Sequence, residues 1–455
     1  MAVATRPYTT RVLRRFPPSS TSRASSRAAV PLIVGLAAQA VTTYLVLVLA
    51  GRSLGPVGFA ALSSLYFLLT STATGLFTPL EQEVTARRGV ERARGSWDDS
   101  LRRRALAHGL GATLLAVGLT LAIWPVTLRA LGDQGWLVVS FCIALPGYAC
   151  WFASRGELAG QGRLGAYGTQ LVVDGVARLV GALALVLADH ATSAGFGLLF
   201  AFSPWLAYAV APRAGHAPPE GRQPLRTPPL TGALALLVLS ALAAQLLINA
   251  GPLVVSLLAS DSDRDLVGVY LAVLVVVRVP VYLFTAVQPG FLRALAEHAG
   301  AGRRTEFGHL LGVVLAAVSA VVGLACVLAT TLAPPIVSWL FDFDQQLPRT
   351  TCLLLTLAVG LFLVATVVAQ ALIALSHHLW VATGWLLGLV GLAVGTAFGG
   401  EVTMRATEGL LTGAVVATAA LGALLYRELS GWIPRPETTA PATPTTPATP
   451  TTPAN

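Results

Sequence analysis

The stretch VPLIVGLAAQAVTTYLVLVLAGRSLGPVGFAALSSLYFLLTSTATGLF, residues 30–77, decides the fold class. It holds two long apolar runs on either side of a short break, which contains Arg52 and the pair Gly55-Pro56. A helix needs about 20 apolar residues to cross a hydrocarbon core of roughly 30 Å. Each run is long enough for this, so the stretch predicts two membrane spans joined by a short loop.

The rest of the chain has the same character. Of its 455 residues, 55% are hydrophobic and only 11% are charged, and the mean hydropathy is +0.71. An ordinary soluble domain carries about 25% charged residues. With less than half of that charge, the chain lacks the hydrated surface of a soluble fold of this length. The composition predicts a polytopic α-helical membrane protein.

Apolar runs recur along the chain in two groups of six, and they predict about twelve transmembrane helices, give or take two. The runs lie at 29–50, 57–78, 105–125, 134–154, 166–188 and 192–211, and then at 230–259, 267–289, 309–331, 349–376, 379–399 and 406–429.

Composition divides the chain into five parts. These are an Arg/Ser-rich cytoplasmic arm (1–28), a first six-helix half (29–211), a cytoplasmic Pro-rich linker (212–229), a second six-helix half (230–430) and a disordered, cytoplasmic Pro/Thr-rich tail (431–455). The arm can be read as a transit peptide, and the commoner interpretation is a segment held near anionic lipid.

The arginines predict the orientation. With the N-terminus inside, 23 of the 30 basic residues fall on the inner side, and the outer loops hold only five. Inner loops of membrane proteins are enriched in arginine and lysine. Both termini are therefore expected in the cytoplasm, and the chain is expected in a bacterial plasma membrane as a multi-pass protein.

The two halves resemble each other. Gly58 and Pro79 bracket the second span, and Gly268 and Pro289 bracket the eighth, 21 residues apart in both cases. The triplet Ala-Ala-Gln at 37–39 recurs at 243–245 in the seventh span. Six spans per half give both halves the same orientation, so the sequence predicts parallel repeats about an axis along the membrane normal. Chance similarity between Ala/Gly/Leu-rich helices is the alternative.

A resemblance to a known family rests on two segments. AGRSLGPVGFAALSSLYFLL, residues 50–69, resembles the end of the first span and the second span of polysaccharide-export flippases in the multidrug/oligosaccharidyl-lipid/polysaccharide exporter superfamily. VGVYLAVLVVVRVPVYLFTAVQPGFLRALAE, residues 267–297, is similar to the start of the second half in that family. The resemblance implies two six-helix bundles around a central cavity that moves lipid-linked sugars by alternating access.

The chain contains no lysine, and this excludes two kinds of chemistry. A P-loop needs a lysine for the nucleotide phosphates, and Schiff-base enzymes need a lysine amine. No metal-site or disulfide pattern is indicated by the four cysteines, which lack a C-x-x-C pair. We therefore expect no enzyme, no metal and no cofactor, and transport coupled to H+ or Na+ or to the supply of substrate.

Two arginines fall near the middle of predicted spans. An arginine at the centre of a membrane costs at least about 2.5–3.5 kcal/mol, so Arg178 and Arg278 each need a partner or a wet cavity. Asp174 lies one helical turn before Arg178 and is a candidate partner. The pair either neutralises itself to pack helices or lines the cavity. Arg278 either pairs with an acid on another helix, possibly Asp174, or binds substrate.

Neutral polar side chains inside spans are further candidates. They would bind sugar hydroxyls in a cavity, or they would only join helices by hydrogen bonds. The residues are Gln39, Gln245, Asn249 and Gln370.

Prolines and glutamates mark candidate hinges and gates. Pro280, two residues after Arg278, and the pair Gly251-Pro252 predict bends, because proline removes a helix hydrogen bond. Glu81 and Glu83 follow Pro79 at the inner end of the second span. They either form a gate with nearby arginines or lie on a solvated loop face.

An arginine-lined cavity fits an anionic headgroup, because guanidinium offers planar paired donors to phosphate. The leading hypothesis is a flippase for a polyprenyl-diphosphate-linked oligosaccharide, with membrane lipids and glycan-synthesis proteins as partners and no role for nucleic acid. The alternatives are a cation-coupled multidrug exporter of the same superfamily and an integral membrane glycan polymerase or ligase.

Overall fold

A computed structural model describes residues 22–210, 223–224, 232–260, 263–398 and 400–431. Within these ranges nine helices are long and apolar enough to cross a membrane, and a tenth span forms if one bent pair is counted. The prediction of a polytopic, all-α membrane protein is confirmed. Over the described residues, every apolar run recognised in the sequence lies mostly in helix.

The first half of the chain, as we use the term below, comprises six helices. They are α1 Ser22–Arg94, α2 Ser100–Ala122, α3 Trp124–Ala130, α4 Gly135–Gly160, α5 Leu164–Leu187 and α6 Ser193–Ala209.

The second half comprises eight helices. They are α7 Gly232–Leu258, α8 Arg264–Val277, α9 Val279–Gly300, α10 Arg304–Thr331, α11 Ala333–Phe341, α12 Arg349–Ala374, α13 His378–Ala397 and α14 Val402–Gly431.

Helix α1 has 73 residues and is broken at Gly55, where φ is +65°. At about 1.5 Å per residue it would measure about 110 Å if straight, several times the thickness of a hydrocarbon core. Glycine adopts this left-handed conformation without steric cost, and Pro56 follows it directly. The chain therefore turns at Gly55, three residues before Gly58, which the sequence had suggested as the start of the second span.

The predicted eighth span is not one straight helix. It consists of α8 and α9, which meet at Arg278 with a bend of 40°. Pro280 is the second residue of α9, and its missing N–H explains why the helix is interrupted here. The bend predicted at Pro280 is therefore present. Helix α7, in contrast, continues through Gly251 and Pro252 to Leu258.

Equivalent helices of the two halves pack in equivalent ways. In the first half α1 packs on α4 and α5, α2 on α4, and α6 on both α4 and α5. In the second half α7 packs on α13, α9 and α10 on α12, and α14 on both α12 and α13. The halves meet where α1 contacts α7 and α8.

The ends of the chain and the linker lie mostly outside the described residues. Of the predicted arm, residues 22–28 belong to α1, which begins earlier than the apolar run. In the linker only Gln223–Pro224 (β2) is described, and it pairs in parallel with Ser96–Trp97 (β1). Of the predicted tail only Gly431, the last residue of α14, is described.

Candidate functional site

Three of the predicted site residues come together in the first half. Arg178 and Asp174 on α5 form an ion pair, as their four-residue spacing favours. Gln39 Nε2 of α1 donates to Asp174 Oδ2 at 2.8 Å. Arg178 Nε donates to Ser203 Oγ of α6 at 2.8 Å. Asp174 is 0% exposed and Arg178 is 4% exposed, so three helices join around a buried, neutralised pair.

A glycine allows this meeting. A Cβ atom on Gly175 would lie 2.1 Å from Thr42 Oγ1 and 3.2 Å from Gln39 Cα. Only a residue without a side chain lets α5 approach α1 this closely, as is usual where helices associate in lipid. The residue next to Asp174 thus brings Gln39 within hydrogen-bond distance of the carboxylate.

Three other predicted residues come together in the second half. Arg278, at the junction of α8 and α9, donates through Nη1 to Asn249 Oδ1 at 2.6 Å and through Nη2 to the Ile248 carbonyl. Asn249 in turn donates to Gln245, at 2.9 Å to the carbonyl and 3.2 Å to Oε1. Arg278 is 3% exposed and pairs with no carboxylate in the described part of the chain.

The Ile248 carbonyl is free to accept from Arg278, and the sequence shows why. In an uninterrupted helix the Ile248 carbonyl would accept from the N–H of residue 252, and Pro252 has none. A similar contact occurs at the break between α8 and α9. Tyr44 Oη of α1 donates at 3.1 Å to the Val275 carbonyl, which lies in the last turn of α8, where carbonyls lack a helical partner. Both free carbonyls therefore accept from a side chain of another element.

Three aromatic rings connect the two arginines across the interface of the halves. The guanidinium of Arg178 lies 5.2 Å from the ring centre of Phe200, and that of Arg278 lies 4.3 Å from the ring centre of Phe67. Tyr66 lies between these rings, with centre-to-centre distances of 5.7 Å to Phe200 and 5.2 Å to Phe67. We call Phe200, Tyr66 and Phe67 the aromatic bridge.

Tyr66 also joins the halves directly, because its hydroxyl hydrogen-bonds that of Tyr282 on α9 at 3.0 Å. Tyr66 is within electrostatic range of both guanidiniums. With two arginines and one carboxylate, the centre of the molecule carries a formal charge of +1. Two buried atoms there, Asp174 Oδ1 and Arg278 Nε, have no hydrogen-bond partner in the described structure. Asp174 Oδ1 is therefore a position for a proton or a cation, and Arg278 Nε is a position for an anion.

No protein-family model matches the sequence of this chain. Among curated proteins it is similar to the uncharacterized protein Rv3630 of Mycobacterium tuberculosis, with 24% identity over 404 residues, 87% of this chain and 90% of the relative. It is also similar to the uncharacterized protein Mb3654 of Mycobacterium bovis, with 24% identity over 84% of this chain and 88% of the relative.

Solved structures give a stronger likeness. The inward-facing conformation of a multidrug resistance MATE family transporter of the MOP superfamily superposes with a TM-score of 0.66 at 13% identity, over 88% of this chain and 98% of the other. The outward-facing conformation of a multidrug resistance MATE family transporter of the MOP superfamily gives a TM-score of 0.58 at 14% identity, over 90% of this chain and 96% of the other. A MOP superfamily transporter from Pyrococcus furiosus gives 0.63 at 14% identity, over 89% and 95%.

The chain has the fold of MATE transporters of the MOP superfamily. This agrees with the superfamily named in the sequence analysis. The narrower resemblance to polysaccharide-export flippases stays a prediction. In this MATE-like fold Arg278 and the aromatic bridge lie where the two halves meet, and Arg178 lies within the first half.

The remaining predicted residues lie elsewhere in the fold. Gln370 is buried in α12 at 6% exposure and shares no described hydrogen bond with Arg178, Arg278 or their partners. Gly251 packs against Tyr270, whose hydroxyl would lie 3.1 Å from an added Cβ.

The two glutamates near the C-terminal end of α1 bind within the first half. Glu81 pairs with Arg155 of α4 at 3.0 Å and accepts from Tyr167 Oη of α5 at 2.6 Å. Glu83 pairs with Arg87, one turn along α1, at 2.7 Å. Glu81 thus fixes α1 to α4 and α5. These contacts stabilise one half, whereas the predicted gate requires contacts between moving parts.

Sequence reasoning missed the aromatic bridge, Ser203 and Tyr282. The signal was present in part, since Tyr44, Tyr66 and Tyr282 place hydroxyl groups inside apolar runs. A buried tyrosine hydroxyl usually needs a hydrogen-bond partner. Sequence spacing, however, does not reveal which helices bring those partners together.

Proposed function

We propose that the chain is a flippase that moves a polyprenyl-diphosphate-linked oligosaccharide across the bacterial plasma membrane by alternating access. One observation carries the proposal: Arg278 is a buried guanidinium without a carboxylate partner, at a helix break on the interface of the halves. A cation that the protein leaves uncompensated at mid-membrane is suited to an anionic substrate. A diphosphate headgroup is such a substrate.

The contacts of Arg278 suggest how binding and bending are coupled. Its guanidinium is held by an amide oxygen and a backbone carbonyl, both neutral acceptors on α7. Hydrogen bonds from arginine to phosphate are charge-assisted and roughly twice as strong as neutral ones. A diphosphate would therefore draw Arg278 away from Asn249 and Ile248. This releases α7 from the α8–α9 junction and lets the helices change their angle at Pro280.

The proposal includes the membrane topology. We place twelve spans in two parallel six-helix bundles around a central cavity, with both termini in the cytoplasm. The repeated packing of the two halves and the arginines of the Glu81 end support this arrangement. The break of α1 at Gly55 then faces outside, and the end of α1 that contains Glu81 faces inside. Glycan-synthesis proteins remain expected partners, and the sugar hydroxyls would bind Gln39, Gln245, Asn249 or Gln370.

Transporters of this fold differ in the polarity of their pockets. The binding pocket of the Pyrococcus furiosus transporter has reverse polarity, which suggests a different function for that protein. The fold therefore accommodates pockets of more than one polarity. The formal charge of +1 on Arg178, Arg278 and Asp174 supports an anionic cargo for this chain.

A cation-coupled multidrug exporter is the second candidate. It is favoured by the buried Asp174 Oδ1, which has no hydrogen-bond partner and would accept a proton or sodium ion. The MATE structures that this chain resembles are described as multidrug resistance transporters. We do not propose a glycan polymerase or ligase, because the fold is that of transporters.

Reconstituted vesicles distinguish the two candidates. Fluorescent polyprenyl-diphosphate sugar is placed in one leaflet of proteoliposomes, and its transfer is followed by quenching from outside. A flippase transfers the lipid, and Arg278→Gln slows transfer by about 10- to 100-fold, as expected for loss of hydrogen bonds to a charged group. A drug exporter instead moves a cationic dye when a proton or sodium gradient is applied, and it leaves the lipid in place.

The matched control is Arg405→Gln. Arg405 also donates to a backbone carbonyl, that of Thr396, at 3.0 and 3.2 Å, but it lies in the first turn of α14 and shares no described contact with Arg278. It should leave lipid transfer unchanged. Equal transfer by the Arg278→Gln variant and the unchanged protein, both normally inserted, would contradict the proposal.

A further inference from the structure

The two halves hold each other where α1 breaks, which we call the Gly55 end. There α11, a short helix of the second half, packs on α8 of its own half and on α1 of the first half. The equivalent short helix of the first half, α3, packs on α7 of the second half, and the turn after it touches Ala61 of α1 through Gly132. Both short helices have proline as their second residue and are followed by an aspartate with φ of +61°. Each half thus reaches across to the other with one short helix.

Arg52, which lies in α1 just before the break, makes the polar part of this contact. Its Nε donates to the Leu340 carbonyl at 2.9 Å, and its Nη2 donates to the Trp339 carbonyl at 2.6 Å. Both carbonyls lie in the last turn of α11, where carbonyls lack a helical partner. The helix ends because Asp342 has left-handed φ, and its N–H donates to the Ser338 carbonyl at 2.8 Å. A guanidinium of one half therefore caps a helix of the other, at the helix end whose dipole favours a cation.

Three phenylalanine rings make the apolar part. The ring centre of Phe59 on α1 lies 5.1 Å from that of Phe341 and 5.9 Å from that of Phe343, and the last two lie 5.8 Å apart. All three rings are buried. A Cβ on Gly51 would collide with Phe341 Cδ1, so only glycine leaves room for this ring beside α1. Because Phe341 is the last residue of α11, the same helix end presents carbonyls to Arg52 and a ring to Phe59.

The helix beside α11 also lies directly on α1. A Cβ on Gly268, near the start of α8, would collide with the carbonyl oxygen of Pro56, so the two backbones touch just after the break. At the other end of α1, in contrast, Glu81 pairs with Arg155 of α4 at 3.0 Å, a bond within the first half. Transport by alternating access moves one half against the other. The contacts that must break when the Gly55 end opens are therefore those that cross from α1 to α8 and α11.

We propose that Arg52 and the rings of Phe59, Phe341 and Phe343 form a clamp that holds the Gly55 end closed and is released when this end opens. The inference rests on the proposed transport by alternating access and adds a control on its opening step. Arg52 is exposed and binds neutral carbonyls, so water can take their place at a small net cost. Loss of this cap frees α11 to move away from α1, and the rings then separate.

Ser63→Cys reports on the clamp. Ser63 lies one turn beyond Phe59 on the same face of α1, and it is 0% exposed. The rate at which a membrane-impermeant maleimide modifies this cysteine is measured on the full chain in nanodiscs, where the reagent reaches both faces. Arg52→Gln should raise the rate by about tenfold, because loss of hydrogen bonds from a charged donor increases the open fraction. The chain without Ser63→Cys gives the background from its four native cysteines.

Arg405→Gln is the matched control. Arg405 also binds a backbone carbonyl at the end of a helix, that of Thr396, but both residues belong to the second half. This variant should leave the modification rate of Ser63→Cys unchanged. Arg52→Lys, which retains the charge with a single donor group, should give a rate between those of the unchanged clamp and Arg52→Gln. A rate that Arg52→Gln does not change, or that Arg405→Gln raises equally, would overturn the proposal.

A disulfide tests the clamp from the opposite direction. Gly51→Cys together with Phe341→Cys places two thiols where the glycine and the ring now meet, and oxidation should join the halves in the closed state. The cross-linked protein should move neither the fluorescent polyprenyl-diphosphate sugar nor the cationic dye, and reduction should restore transport. Unchanged transport after cross-linking, or failure of the disulfide to form, would contradict the clamp. If the reduced protein moves neither probe, the proposed function fails, while the maleimide rates still decide for or against the clamp.

Discussion

Arg178 and Arg278 are the same residue type in predicted spans, each buried against an aromatic ring, and they are satisfied in opposite ways. Arg178 has a carboxylate one turn away, held in turn by Gln39. Arg278 has only neutral acceptors, one of which is a carbonyl released by a proline. The first arrangement is self-contained within one half. The second depends on a helix break, so it changes when the helices change their angle.

The difference separates a structural charge from a functional one. A buried ion pair is costly to break and adds little to stability as a whole. An uncompensated cation costs stability in every state that lacks an anion, and it is tolerated where a ligand supplies one. The comparison supports the proposal that Arg278 binds substrate, whereas Arg178 joins helices within the first half.

Removal of Asp174 should have the largest effect on stability. Asp174→Asn leaves Arg178 buried without a counter-charge, and the expected loss is about 3–5 kcal/mol of unfolding free energy. Thermal or denaturant unfolding of the purified protein in detergent measures it. The double variant Asp174→Asn with Arg178→Gln should recover most of the loss. A double variant as unstable as the single one would show that the charge pair is not the cause.

Arg278→Gln should lower the unfolding free energy by less, about 1–3 kcal/mol. It leaves the Ile248 carbonyl without a partner, but the charge that it removes had no counter-charge. Pro252→Ala sharpens the comparison, since alanine restores the N–H that the Ile248 carbonyl lacks. In the Pro252→Ala background Arg278→Gln should be less damaging, with a coupling energy of about 0.5–3 kcal/mol between the two sites. The same unfolding assay on the four proteins gives this energy. Additive effects would contradict the account of the released carbonyl.

The sequence predicted the members of both groups better than their contacts. The Asp174–Arg178 pair follows from helical periodicity, which is local. The sequence singled out Arg278 and Pro252 for separate reasons. It did not show that Arg278 binds the carbonyl that Pro252 leaves free, because this contact depends on how α7 packs on the α8–α9 junction. The break of α1 lies within the short interval between the first two apolar runs, and only backbone geometry shows that Gly55 is the residue there with positive φ.

Tyr44→Phe tests whether the break between α8 and α9 needs the hydrogen bond that Tyr44 donates to it. The substitution removes the hydrogen bond from Tyr44 Oη to the Val275 carbonyl and retains the ring that packs edge-on against Tyr282 at 5.8 Å. The expected loss is about 0.5–1.5 kcal/mol, measured by the same unfolding assay. Tyr148→Phe is the control, because the Tyr148 ring packs against Trp151 and Phe152 away from the helix breaks. An equal loss in both variants would mean that the carbonyl contact is unimportant.

The smallest effect on stability is expected for an Arg–Asp ion pair that is exposed to solvent instead of buried in the core. The Asp133–Arg264 pair joins the halves, but its side chains are 58% and 45% exposed, so Asp133→Asn should change stability by less than about 1 kcal/mol. Asparagine tolerates the left-handed backbone of this position, and the contribution of the pair should vanish in 1 M salt, where the Debye length is about 3 Å. If Asp133→Asn lowered the unfolding free energy as far as Asp174→Asn does, buried and exposed ion pairs would contribute equally to stability. The comparison of the two arginines would then lose its basis.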